Sequence, residues 1–186
     1  MPLGECDAFI SHSWHDAIEE AKSDALQRWA AEHQAKDLFV WFDGMCLGDD
    51  LDTDLPCLPI WLSGCKNLLV LAGETYARRL WCLLEVFVFV RMGGDPNHVR
   101  VMRLDNVEFS LSCVDVGKAQ CSVLRDREKL LAVIETGFGS LKAFDRAMAS
   151  VLDTPQQKNQ SSIMIPMGED ACMTSSAASA DCDLMP

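Results

Sequence analysis

Positive charge is scarce in this chain: 16 Lys and Arg stand against 28 Asp and Glu, giving a net charge of −12 over 186 residues. Binding to nucleic acid or to an anionic membrane needs clustered Lys and Arg, so neither partner is expected. Also missing is any run of roughly 18 uninterrupted apolar residues, the length that a membrane-spanning helix requires. The chain does not open on a basic region followed by an apolar stretch, so a secretory leader is not expected. There is no Cys-x-x-Cys pair, no His-Glu-x-x-His helix and no glycine-rich phosphate loop. His12 and His15 are loosely spaced like metal ligands but lack such a partner motif, so no metal is expected. Asp50-Leu51-Asp52-Thr53-Asp54 begins like a calcium loop, yet position six is Leu55 rather than Gly and position twelve is Trp61 rather than Glu.

Cysteine, in contrast, is plentiful, with nine along the chain. An odd count in a chain of this length does not suit a disulfide scaffold. Several of the nine lie within apolar runs, where a free thiol behaves as a small hydrophobe. A reducing, cytoplasmic setting is therefore expected, and the glycosylation-like Asn159-Gln160-Ser161 is expected to be inert. The apolar share of 49% with 24% charged residues is that of a globular domain. Length predicts one domain, residues 1–152, followed by an extension, residues 153–186.

The most informative segment is Leu80-Trp81-Cys82-Leu83-Leu84-Glu85-Val86-Phe87-Val88-Phe89-Val90. It places one carboxylate in an apolar run, one helical turn after a tryptophan. Burying an unpaired carboxylate costs several kcal/mol or forces it to neutralise, so Glu85 asks for an explanation. In a helix Trp81 and Glu85 share a face, and the aromatic ring would wall a cleft that the carboxylate enters. The simpler account puts Glu85 at the solvent edge of a buried helix.

Around this segment, short apolar runs alternate with helical patterns. Ala8-Phe9-Ile10 reads as a buried strand feeding the polar Ser11-His12-Ser13. From Asp16 to Gln34, Ala17, Ala21, Ala25 and Trp29 recur every fourth residue, as on one face of a helix. Leu38 to Phe42 and Leu68 to Ala72 read as strands, stopped by Asp43-Gly44 and Gly73. His98 to Leu104 follows the Gly93-Gly94-Asp95-Pro96 breaker as a fourth strand. A short fifth strand would fall between Glu108 and Cys121. Asp126 to Glu135 and Leu141 to Leu152 read as closing helices, split at Gly137-Phe138-Gly139. Adjacent parallel strands need a crossover, so the segment bearing Glu85 is read as helix. The whole implies an α/β protein with a parallel sheet covered on both faces. From Asp153 onward Gln, Ser, Thr and Ala dominate without periodicity, and a disordered tail is expected, with Ile163-Met164-Ile165 as its one candidate docking motif.

Three pieces stand in order: Cys6-Asp7-Ala8-Phe9-Ile10-Ser11-His12-Ser13, then Val40-Trp41-Phe42-Asp43, then Leu68 to Tyr76 running into Arg79-Leu80-Trp81-Cys82-Leu83-Leu84-Glu85. Together they resemble the Toll/interleukin receptor (TIR) domain, over about residues 5–150. The first is similar to that family's opening strand, the second to its second strand and BB loop. The third is similar to the tyrosine followed by Trp-Cys-Leu-x-Glu in plant and microbial members. The resemblance implies a flavodoxin-like fold of about five parallel strands with helices on both faces. It further implies cleavage of NAD+ between nicotinamide and ribose, with Glu85 catalytic. Substrate contacts would come from Ser11, His12, Ser13, Trp14, Asp43, Tyr76 and Trp81, around the carboxyl ends of the strands, where open α/β sheets bind ligands. Trp81 is equally suited to core packing, and the serines to capping a loop. NAD+ is then substrate, and no cofactor is expected. Partners would be other TIR domains or further copies of the chain, met through the BB loop from Asp43 to Asp54. The alternative is a non-catalytic TIR adaptor that acts by self-association.

The chemistry suits one carboxylate. Ordinary glycosidases need a second, because a departing alkoxide must be protonated. Nicotinamide leaves a cationic ring as a neutral molecule, so stabilising an oxocarbenium-like ribose is the task that remains. The chain departs from the family pattern in three places. His12-Ser13-Trp14-His15-Asp16 replaces a basic residue followed by Gly-Glu-Asp, and neutral His12 is a poor substitute for arginine toward pyrophosphate. Arg79 replaces a serine two residues before the tryptophan. Pro56 and Pro59 are expected to start the helix after the BB loop late.

Overall fold

The computed structural model describes residues 5–16, 19–33, 37–42, 51–104 and 114–152, with backbone alone at 51–54. Strand β1 (Cys6–His12) leads to helix α1 (Glu19–His33), and β2 (Val40–Phe42) to α2 (Leu51–Ser63). Strand β3 (Cys65–Ala72) leads through a 3-10 turn (Tyr76–Arg78) to α3 (Leu80–Arg91). A second 3-10 turn (Pro96–His98) precedes β4 (Val99–Arg103), and α4 (Leu124–Phe138) and α5 (Leu141–Leu152) follow. The four strands pair in parallel in the order β2-β1-β3-β4, compatible with a flavodoxin-like winding.

Chain handedness explains which helix covers which face. Right-handed crossovers are the rule for parallel strands. The step from β1 to β2 runs one way along the sheet, and those from β2 to β3 and β3 to β4 run the other way. Helix α1 must then lie on one face, and α2 and α3 on the opposite one. The core divides accordingly. Ala8, Ile10, Leu69, Leu71 and Met102 pack with Ala25 and Trp29 of α1. Phe9, Leu68, Val70 and Val101 pack with Leu58 and Leu62 of α2 and with the apolar residues of α3, and α4 and α5 join this layer through Leu130, Ile134, Phe144 and Met148. The alternation of side chains along β1 and β3 makes this division possible.

Several expectations are corrected. The sheet has four strands among the described residues, not about five. Of the stretch from Glu108 to Cys121, where a fifth was expected, residues 114–121 form a turn with a single bridge, between Arg79 and Gln120, and 108–113 lie outside the described residues. Only Gly139 and Ser140 separate α4 from α5, too few for a strand. Helix α2 does not start late: it begins at Leu51 and carries both Pro56 and Pro59 inside it. Each proline removes a backbone donor, but Leu58 and Leu62 are fully buried, and that tertiary packing outweighs local propensity. Helix α1 is described over Glu19–His33, Asp16 is not helical, Ala17 of the expected stripe lies outside the described residues, and the buried stripe is Lys22, Ala25 and Trp29. Helix α4 runs through Gly137 and Phe138 and ends on Gly139, whose φ of 76° is the left-handed conformation that closes a helix at little cost to glycine. Asp43, most of the BB loop, residues 105–113 and the tail 153–186 lie outside the described residues. Among those described, no helix is long and apolar enough to cross a membrane.

Candidate functional site

The strand order turns at β1 and β3, since successive connections leave this pair in opposite directions. Beyond the carboxyl ends of such a pair lies the usual ligand crevice of an open α/β sheet. Here β1 ends at His12 and β3 at Ala72. The polar residues singled out in the sequence gather around these two ends.

The pleat assigns each to a face. Ser11 is on the same side of β1 as Phe9, toward α3, and there its Oγ donates to Glu85 Oε2 at 2.5 Å. Tyr76 Oη lies 2.6 Å from the same Ser11 Oγ. The single serine proton is committed to the carboxylate, so the phenol supplies the proton between the two hydroxyls. The result is a chain, Tyr76 to Ser11 to Glu85, in which each donation strengthens the next. All three residues are fully buried, Glu85 at 0% exposure. The same phenol hydroxyl donates more weakly to the carbonyl of Cys82, at 3.4 Å, so its one proton is shared between the two acceptors with Ser11 the nearer. Cys82 in turn donates from Sγ to the His12 carbonyl at 3.3 Å, tying the start of α3 to the end of β1.

A second chain runs beside the first. Asp16 Oδ1 accepts from the Thr75 backbone N–H at 2.9 Å and from Thr75 Oγ1 at 2.8 Å. Ser13 Oγ lies 2.6 Å from Thr75 Oγ1 and, with the threonine proton already given, is the donor of that pair. The His15 N–H donates to Ser13 Oγ at 3.2 Å. Asp16 is only 4% exposed, and Gly73 explains how it fits: a Cβ on that glycine would stand 2.4 Å from the carboxylate. The bare glycine Cα lets Asp16 reach across from β1 to the turn after β3.

On the opposite face His12 stacks on Phe42, with centroids 4.7 Å apart, and tilts toward Trp14 at 5.4 Å. Near them, at the start of α1, Glu19 pairs with Lys22 at 2.9 Å. The Lys22 ammonium holds the Glu19 carboxyl below its usual range, and His12 adds a smaller pull in the same direction. Trp14 is 60% exposed, an aromatic surface two residues past the carboxyl end of β1. Trp81 is half-buried and packs against the core, its indole Nε1 buried. The structure thus joins Ser11, Tyr76 and Glu85 directly, places Ser13 in a neighbouring network, and sets His12 and Trp14 across the sheet from Glu85.

Sequence reading missed Asp16, Thr75 and Gly73 as parts of this arrangement. Asp16 was placed at the head of α1, where an aspartate is common; its partner lies 59 positions on, across the sheet. Among the described residues no three His, Cys, Asp or Glu side chains are grouped to hold a metal. Hydroxyl donation stabilises negative charge on a carboxylate without cancelling it, so Glu85 is suited to facing a developing cation. Compared with models of known protein families and with curated proteins, the sequence matches none of them.

Proposed function

We propose that the chain is a TIR-type NAD+ glycohydrolase, with Glu85 as its catalytic carboxylate, working in a reducing, cytoplasmic setting through self-association. The observation that carries this reading is a buried glutamate on the helix after β3, held by a serine from the end of β1, at the turning point of the strand order. The likeness of residues 6–13, 40–43 and 68–85 to the TIR motifs supports it, and so does a strand order compatible with the TIR variant of the flavodoxin-like winding. The free thiols of Cys6, Cys57, Cys65, Cys82 and Cys121 fit a reducing compartment.

In the proposed reaction the bond between ribose C1′ and the nicotinamide nitrogen breaks, and its electron pair leaves with neutral nicotinamide. Glu85 faces the positive charge that develops on the ribose, and water then adds at C1′ and gives up one proton to the solvent. Full burial of Glu85 means that the crevice must open before NAD+ reaches it. Self-association is the event proposed to open it.

Glu85→Gln tests the assignment, since it keeps shape and hydrogen bonding but removes charge. Losing that charge should cost on the order of 3–4 kcal/mol of barrier, roughly a hundredfold in rate or more. Ser11 can still donate to the amide carbonyl, so the variant should fold. Nicotinamide release by concentrated, assembled wild type but not by folded Glu85→Gln is expected, and equal release by both would refute a catalytic Glu85. The second reading, a non-catalytic adaptor, is favoured by one observation: Glu85 is fully enclosed in a network that also serves packing. Release by neither protein would decide for it.

A further inference from the structure

We propose that Asp16 is a positioning residue for Glu85, acting through the turn that carries Thr75 and Tyr76. This rests on Glu85 being the reactive carboxylate, but the link between Asp16 and Tyr76 stands on geometry alone. Glu85 accepts a hydrogen bond from Ser11, and the Tyr76 hydroxyl lies 2.6 Å from the same Ser11 oxygen. The phenol must therefore sit correctly for the chain to close. Its backbone enters the 3-10 turn directly after Thr75, the N-cap residue (φ −93°, ψ −11°), whose side chain makes no capping hydrogen bond. Asp16 supplies the anchor in place of a cap, gripping Thr75 by both its N–H and its hydroxyl.

The grip is built rather than incidental. Charge-assisted hydrogen bonds are the stronger kind, and two converge on one oxygen. Ser13 adds a second hold from the β1 side, through its own hydrogen bond to Thr75 Oγ1, so Thr75 is gripped by two residues that follow β1. Gly73 leaves the space for Asp16, and any side chain there would push it off Thr75. Asp16 itself need not touch substrate. Its effect is to fix the register of Tyr76 against Ser11, and through Ser11 the orientation of Glu85.

Tyr76 is the one tyrosine in the chain, which makes the link directly visible. The Raman doublet of a phenol ring reports whether its hydroxyl donates or accepts, and no other tyrosine overlaps it. The experiment records this doublet, nicotinamide release and thermal melting for full-length wild type, Asp16→Ala, Asp16→Asn and Gly73→Ala. Asp16→Ala and Gly73→Ala should both alter the Tyr76 doublet and lower kcat roughly tenfold to a hundredfold, with KM within about twofold. Asp16→Asn keeps a carbonyl oxygen for Thr75 and should restore most of both signals. An unchanged doublet in a folded Asp16→Ala or Gly73→Ala overturns the proposal, whatever happens to melting temperature. If Asp16→Ala does not fold, Gly73→Ala decides, because it displaces the carboxylate without removing it. If wild type releases no nicotinamide, the NAD+ reading fails, and the doublet alone still decides whether Asp16 positions Tyr76.

Discussion

Ser11 is where structure and proposed chemistry meet at the scale of one residue. It stands on the last inward-facing position of β1 and spends its one proton on Glu85. Ser11→Ala would withdraw a donor from a buried carboxylate and an acceptor from a buried phenol together. A cost of about 1–3 kcal/mol in urea unfolding is expected, well above that of an exposed serine, with nicotinamide release falling alongside. A variant as stable as wild type would show that the two hydroxyls and the carboxylate are not coupled. At this scale the sequence was only half legible. Glu85 stood out because a charge in an apolar run is costly wherever it is placed, and Tyr76 and Ser11 stood out through motif order. Asp16 did not, because nothing local distinguishes an aspartate that starts a helix from one that reaches across a sheet. Its meaning depends on Gly73 and Thr75, far along the chain.

Among the elements, Asp7 shows how the strands are fastened at the end away from the site. Its carboxylate accepts from Lys66 Nζ at 2.8 Å and from the Phe39 N–H at 3.0 Å, joining β1 to β3 and to the approach of β2. The hydrogen bond from Lys66, then that from the Phe39 backbone, hold its carboxyl below the usual range. A carboxyl depressed by folding contributes stability above its unfolded value, near 3.8, and loses it as pH falls through the folded value. Asp7→Asn should therefore melt roughly a degree or two below wild type at neutral pH, the gap closing as pH falls below the unfolded value of 3.8. A gap independent of pH would mean that packing, not charge, fastens the strands. The elements themselves were largely legible. The run Leu68 to Ala72 is buried on both faces, and α3 was fixed by the need for a crossover between parallel strands. Helix α2 misled because Pro56 and Pro59 argue locally against a helix, whereas Leu58 and Leu62 find a sheet to bury against. The buried stripe of α1 passes through Lys22 rather than Ala21, since a long stem can lie along apolar surface while its ammonium reaches Glu19.

For the whole molecule, composition sets one boundary. Helix α5 ends at Leu152, fully buried, and the sequence beyond it is polar and aperiodic. Truncation after Leu152 should leave the melting temperature within a few degrees of wild type in a calorimetric scan. A larger drop would show that the 153–186 segment packs on the domain. The parallel sheet has a consequence in time rather than in space. Among the four described strands no two neighbours are joined by a hairpin, so none of these pairings can form from adjacent residues. The central pair is the most distant of all: Ile10 meets Leu69 only after α1, β2 and α2 have been threaded between them. Closing so long a loop costs chain entropy before any ladder bond repays it, which places such topologies toward the slow end of two-state folding. The candidate site lies at the carboxyl ends of the same pair. Ser11 and Tyr76 sit at the ends of this longest-range strand pairing, so the candidate site cannot assemble before the central pair of the sheet has closed.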